Sequence, residues 1–336
     1  MNVRTYLAAA AALALSVGGC SKKQDTVVAT ADTVQITAAD IDRDAVALLP
    51  GGAVGVVRVD APSLFQSQFG QHLAQLLASR LPLPPSAGFE PTRDLGVLYA
   101  GLYSMQGADF AAVATGTFHP DAIERAADGT TMTPLGAPLV KTSYARRTLY
   151  VSRNVGFAVL TEHTILLGNE TGIRRALDRL SEGRAKHDVP PWMDDVLGTP
   201  NAALVGAFDF AGQAPVAATV KGLSFLQGIR RARIVGNFQP PGMNFAGTLS
   251  YPTPEAAQAA SAGMNQANQM VQSYGFFMQL AGIGNPIQSL QTAPNGNDAQ
   301  FVVAIEGRAV EWALNQIATF APVAQATPFQ TQGSRP

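Results

Sequence analysis

Four histidines and one cysteine are the residues of this chain best suited to chemistry at neutral pH, and their spacing organises almost none. Histidine is the usual general base and metal ligand. His72, His119, His163 and His187 are scattered, and no two share the local spacing of a metal site. Zinc would need a density of Cys and His that is not present. The chain has neither a Gly-x-Ser-x-Gly elbow nor a P-loop. Pro50-Gly-Gly-Ala-Val-Gly55 precedes a strand pattern instead of opening a helix, which does not fit a phosphate cradle. Asp194-Asp195 follow Pro-Pro-Trp-Met, where acidic residues complement a helix dipole. Asp40, Asp42 and Asp44 alternate but lack the Gly and distal Glu of an EF-hand loop. Two arginine groups remain, Arg174, Arg175 and Arg179 on a helix and Arg230, Arg231 and Arg233 beside a strand. They read either as solvated faces or as contacts to anionic headgroups, at ~1 kcal/mol each. The expectation is a non-enzyme with no catalytic residues, no cofactor and no metal.

The cysteine is different, because its setting carries the information. Arg4 precedes an apolar run from Leu7 to Val17, and Val17-Gly18-Gly19 lead into Cys20. The run, roughly 11 residues, is well short of the ~20 that cross a bilayer, so it suits a cleaved signal. This pattern resembles a bacterial lipoprotein signal peptide with its lipobox, Val17 standing where Leu is commoner. The resemblance implies cleavage after residue 19 and several acyl chains (a diacylglycerol anchor with an added fatty acid such as palmitate) on Cys20. Ser21 in place of Asp implies outer-membrane sorting, with the body facing the periplasm.

Composition narrows the partners. Arg4 is the only charge in residues 1–19, so the mature chain holds 22 basic and 24 acidic residues, about −2. That balance offers no electrostatic footprint for nucleic acid. A single cysteine excludes intramolecular disulfides. Hydrophobic content of 47% suits a packed body. From Ile234 to Ser334 the only charges are Glu255, Asp298, Glu306, Arg308 and Glu311, and Ala256 to Asn297 carry none. So long a neutral stretch suggests unusual packing or a surface meeting something other than bulk water.

The elements that must position these residues alternate between strand and helix. Residues 20–44 are small and polar, as in a flexible tether, and 321–336 read as a disordered tail. Strands are expected at Gly55–Val59, Leu95–Tyr103, Asp109–Phe118, Leu139–Ser143, Thr148–Val151, Gly156–Leu160 and Thr164–Gly168. Phe65, Phe69, Leu73, Leu76 and Leu77 form one helical stripe; Ile173, Ala176, Leu177 and Leu180 form another behind Asn169. The second half echoes the first. Ala203–Asp209 matches Val54–Asp60, Gly242-Met-Asn-Phe-Ala246 matches Gly107-Ala-Asp-Phe-Ala111, Pro254-Glu-Ala256 matches Pro120-Asp-Ala122, and Ala313-Leu-Asn-Gln-Ile317 matches Ala176-Leu-Asp-Arg-Leu180. The fold class expected is α+β, a tandem repeat of units 45–187 and 188–320, each a mainly antiparallel sheet with helices on one face.

The halves differ where the second carries a long helix, Pro254 to about Leu280. Ala257, Ala260, Met264, Ala267, Val271, Tyr274 and Met278 recur along it at alternating three- and four-residue spacing. Such a seam either lies across its own sheet or meets another chain or ligand; Met264, Val271, Tyr274 and Met278 are the candidate binding residues. Leu49-Pro-Gly-Gly52 and Gly168-Asn-Glu-Thr-Gly-Ile-Arg174 also resemble motifs of secreted or lipid-anchored bacterial envelope proteins of unknown function. That likeness brings no catalytic residue with it. The functional expectation is a lipid-anchored envelope component that binds or scaffolds a protein partner, the alternative being a periplasmic carrier of a lipid or other apolar ligand.

Overall fold

The structure, a computed structural model, describes residues 36–104, 109–213, 223–275, 279 and 284–312. Cys20, Met278, the 313–317 match and the 321–336 tail lie outside the described residues.

Twelve strands form one sheet: β1 (Gly55–Asp60), β2 (Leu95–Leu102), β3 (Phe110–Gly116), β4 (Val140–Tyr144), β5 (Arg147–Ser152), β6 (Val155–Val159), β7 (Thr164–Gly168), β8 (Leu204–Asp209), β9 (Arg231–Asn237), β10 (Gly242–Ser250), β11 (Ile287–Asn295) and β12 (Asp298–Glu306). Their order is β11-β12-β10-β9-β8-β1-β2-β3-β7-β6-β5-β4, with every neighbouring pair antiparallel. β1 and β8 pair at the centre, Val57 opposite Gly206, so the sheet runs unbroken across the 187/188 boundary. Outwards from that pair one side runs β1, β2, β3, β7, β6, β5, β4 and the other β8, β9, β10, β12, β11.

Helices cover both faces, which corrects the expectation of helices on one face. Residues i and i+1 of a strand point to opposite sides, and both sides of the first half are apolar. Val113, Leu149, Ala158 and Leu166 pack against Ile173, Ala176 and Leu177 of α6 (Glu170–Ser181). Their neighbours Ala114, Phe157 and Ile165 pack against Ile123 and Ala126 of α5 (Pro120–Ala126) on the opposite side. At the centre Val56, Val205 and Ala207 meet Met193, Val196 and Leu197 of α7 (Pro191–Leu197), on the α6 side. α8 (Pro254–Ser273) lies on the α5 side, with Ala257, Ala260 and Met264 against Ala232, Leu249 and Ala299. Each fully buried Leu, Ile or Met contributes about 1.5–3 kcal/mol.

Two further elements depart from the sequence reading. Residues 38–43, assigned above to the tether, form helix α1 (Ala38–Arg43). Thr37 and Asp40 close a capping box, and Ile41, 1% exposed, enters the α6 core. One anchor in six residues is too short a pattern for periodicity to register. The stripe from Phe65 to Leu77 is split into α2 (Ala61–Phe65) and α3 (Gly70–Ala78). A Cβ on Gly70 would sit 2.0 Å from the Phe65 carbonyl oxygen, so the glycine lets α3 restart against the end of α2. The short helix α4 (Pro91–Asp94) then leads into β2.

Candidate interaction surface

The described histidines lie apart from one another. His72 lies on α3 and His119 at the start of α5. His163 Nδ1 is 3.2 Å from the Gly116 carbonyl oxygen, in the turn between β6 and β7. His119 and His163 border an open depression of about 420 Å³ with Asp121, Arg125 and Glu162. Among the described residues no three His, Cys, Asp or Glu side chains are grouped to hold a metal.

His187 has the most organised surroundings. Its Nδ1 lies 2.6 Å from Asp194 Oδ2 and its Nε2 2.9 Å from Asp44 Oδ1. With a carboxylate on each nitrogen, the ring is bound best as imidazolium. Burial acts to lower its pKa, but the hydrogen bonds to Asp194 and Asp44 outweigh that, and the net shift is upward. The ring clasps the segment after α1 to the first turn of α7. A raised folded-state pKa contributes stability that is full below the ordinary value of about 6.5 and fades as pH rises through the raised value. His187→Ala should therefore lower the denaturant midpoint at about pH 5.5 and converge on the parent at about pH 8.5. Because the ring is partly solvent-screened, the difference should not exceed about 1 kcal/mol. Equal deficits at both ends of that titration would refute the clasp.

The arginines are committed too. Arg179, nearly buried, pairs with Asp188 and donates to the Lys186 carbonyl at 2.8 Å. Arg184 pairs with Glu182, and Arg174 with Glu170 at 2.6 Å. Arg175 donates to the Gly51 carbonyl at 2.8 Å and lies 4.6 Å from the Tyr103 ring centroid. Arg175, Arg179 and Arg184 border a cleft of about 450 Å³ beside Gly51 and Gly52, matched there by Asp178, Glu182 and Asp188. Arg231 and Arg233 of β9 lie over the Trp192 ring at 5.1 and 5.4 Å, joining β9 to α7 through cation–π contacts.

What is left open is a sheet face. On the side carrying α6 and α7, no described helix lies over β9 to β12 beyond the end of α7. The registers place Val235, Ala246 and Val302 in one row across β9, β10 and β12, with Arg233, Thr248 and Gln300 in the next. With Val196 and Thr199 at one wall they line a shallow depression of about 370 Å³. Val302 is 53% exposed, which for a valine in the middle of a nine-residue strand marks an uncovered face. Tyr274, just past α8, is 55% exposed. Along the sheet edge β11 presents nine residues without a charge.

Of the candidate binding residues, Met264 is buried between α8 and the sheet, Val271 is half-buried and Tyr274 is exposed. The seam along α8 is therefore core over its first half and reaches solvent only at its end. The open face went unmarked in the sequence reading because Phe301-Val-Val-Ala-Ile305 is apolar at every position, which reads as a strand covered on both sides. The missing charges from 256 to 297 were the available signal.

No protein-family model matches the chain, and no curated protein matches its sequence. Solved structures do. Crystal form I of TP0453 superposes with a TM-score of 0.52 at 9% identity, covering 81% of this chain and 96% of that one. Crystal form III gives 0.51 at 10% identity, covering 82% and 98%. At such identity the likeness is one of fold.

Proposed function

We propose that this chain is a non-enzymatic, lipid-anchored protein of the bacterial cell envelope. It works as a binding or scaffolding component through the neutral end of its sheet. The observation that carries the reading is the open face of β9, β10 and β12, with Val302 uncovered beside a neutral edge strand. Membrane attachment rests on Cys20 and its signal pattern; among the described residues no helix is long and apolar enough to cross a bilayer. By the same signal the anchor lies in the outer membrane and the body faces the periplasm.

The body is best read as a duplicated unit. In support, the first five strands outward from β1 and from β8 follow a similar order, the first half adding β5 and β4 at its edge. α5 and α8 each follow the third strand of their half and pack on the same side of the sheet. The described start of the helix after β12, residues 307–312, packs Val310 against Phe69 and Phe238, and the β12 face carrying Val302 stands open. The partner best suited to such a surface is another protein, since an apolar, uncharged sheet face recognises shape and backbone more than charge. Carriage of a lipid finds less support, because Ala257, Ala260 and Met264 fill the space between α8 and the sheet. A photo-crosslinking residue in place of Val302 tests the reading. It should give a discrete adduct in cells, and the same residue at Val140, on the other edge strand, should not.

A further inference from the structure

Edge strands invite pairing, and proteins normally blunt them with charge, proline or a bulge. The two ends of this sheet are protected unequally. β4 is five residues long and carries Lys141, which bonds Glu124 at 3.1 Å. β11 is nine residues long and uncharged, with one register irregularity between Ile287 and Ser289. Pro294 lies within it and Pro286 just before it, each four residues from Leu290.

The hairpin decides which backbone groups are free. Asn295 and Asp298 flank the two-residue turn Gly296-Asn297, so they form a hydrogen-bonded pair. Alternation then turns Gln291 and Ser289 towards β12 and points the N–H and C=O groups of Thr292 and Leu290 away from the sheet, with Gln288 in the irregularity beyond them. Between the prolines lies a short, neutral ladder with no described strand to complete it.

We propose that β11 pairs antiparallel with β11 of a second copy about a two-fold axis at Leu290, joining the two sheets edge to edge. This deepens, and rests on, the reading of the neutral end of the sheet as an interaction surface. The chemistry is self-complementary. Leu290 falls opposite the partner's Leu290, and Gln288 opposite the partner's Thr292. Pro294 bounds the ladder on one side, and on the other the Pro286 carbonyl turns inward to accept from the Glu306 N–H of β12 at 3.0 Å. On the open face Ser289 meets the partner's Gln291, both exposed, and no like charges oppose each other anywhere along the ladder. Isologous pairing also closes the edge instead of propagating it.

The axis makes the test a charge swap. The mature lipidated chain in detergent should sediment as a dimer at tens of micromolar. Ser289→Lys with Gln291→Lys sets lysine against lysine across the axis and should weaken association at least about tenfold. Ser289→Lys with Gln291→Glu sets lysine against glutamate and should restore it. A parent chain that stays monomeric, or a Lys/Lys variant that dimerises like the parent, overturns the pairing. The Lys/Glu variant keeps the test sound if Lys/Lys perturbs folding, since its own failure to dimerise also overturns it. The broader reading fails separately: a Val302 adduct to a different protein from a monomeric chain sinks the pairing alone, while no adduct of any kind sinks both.

Discussion

Gly172→Ala should destabilise the fold by about 3 kcal/mol, near the upper end for added bulk in a packed interior, and lower Tm by roughly 5–10 °C. A Cβ at residue 172 would lie 1.9 Å from the Phe110 carbonyl oxygen, a backbone atom that cannot swing aside. The contact is close because α6 is docked end-on to β3. Asn169 caps the helix by accepting from the Gly172 N–H at 3.0 Å, and its amide donates to Asp109 at 2.8 Å. Gly168 is similarly tight, with a Cβ position 2.6 Å from the same Phe110 oxygen. The Gly168-Asn-Glu-Thr-Gly-Ile-Arg174 motif is thus a device for bringing helix and strand backbones together, and Ile173 is the first side chain it delivers to the core. Gly275→Ala, where a Cβ meets nothing within 4 Å, should leave Tm unchanged. Equal melting of the Gly172 variant and the parent would contradict the docking.

Cys20→Ala should have the largest effect in cells. Labelled fatty acid incorporated into the protein should fall to background, and the precursor should accumulate because its lipidation step is blocked. A single myristoyl-sized chain binds membranes marginally, at ~0.8 kcal/mol per buried CH₂, whereas several chains hold stably. On the proposed lipidation, loss of the thiol removes the whole lipid anchor instead of weakening it. Unchanged labelling and unchanged fractionation in the variant would remove the basis for an envelope location.

Much of the sheet was legible in the sequence. β7 at Thr164–Gly168 and the Asn169 cap stand where periodicity and capping chemistry put them, because four apolar or β-branched residues followed by Gly-Asn admit few alternatives. Three features were not legible, each for a physical reason. α1 holds on through Ile41 alone, and a single residue has no period. The break between α2 and α3 depends on Gly70 meeting the Phe65 backbone, a contact no local pattern encodes. Placement of helices on both faces depends on strand order, since α5 and α6 cover alternate residues of the same β3. For the candidate surface, Tyr274 was named and Val302 was missed. Helical spacing can be read residue by residue, whereas an apolar strand looks the same whether one or both of its faces are covered.

The neutral, open end of the sheet is the centre of this account, and crosslinking from it is the most direct measurement. A photo-reactive residue at position 302, in the lipidated protein in cells, should yield a discrete adduct that the same residue at position 140 does not. The mass of the adduct identifies the partner as a second copy or another protein. No adduct from position 302, or equal adducts from both positions, would contradict the assignment of that face as the working surface.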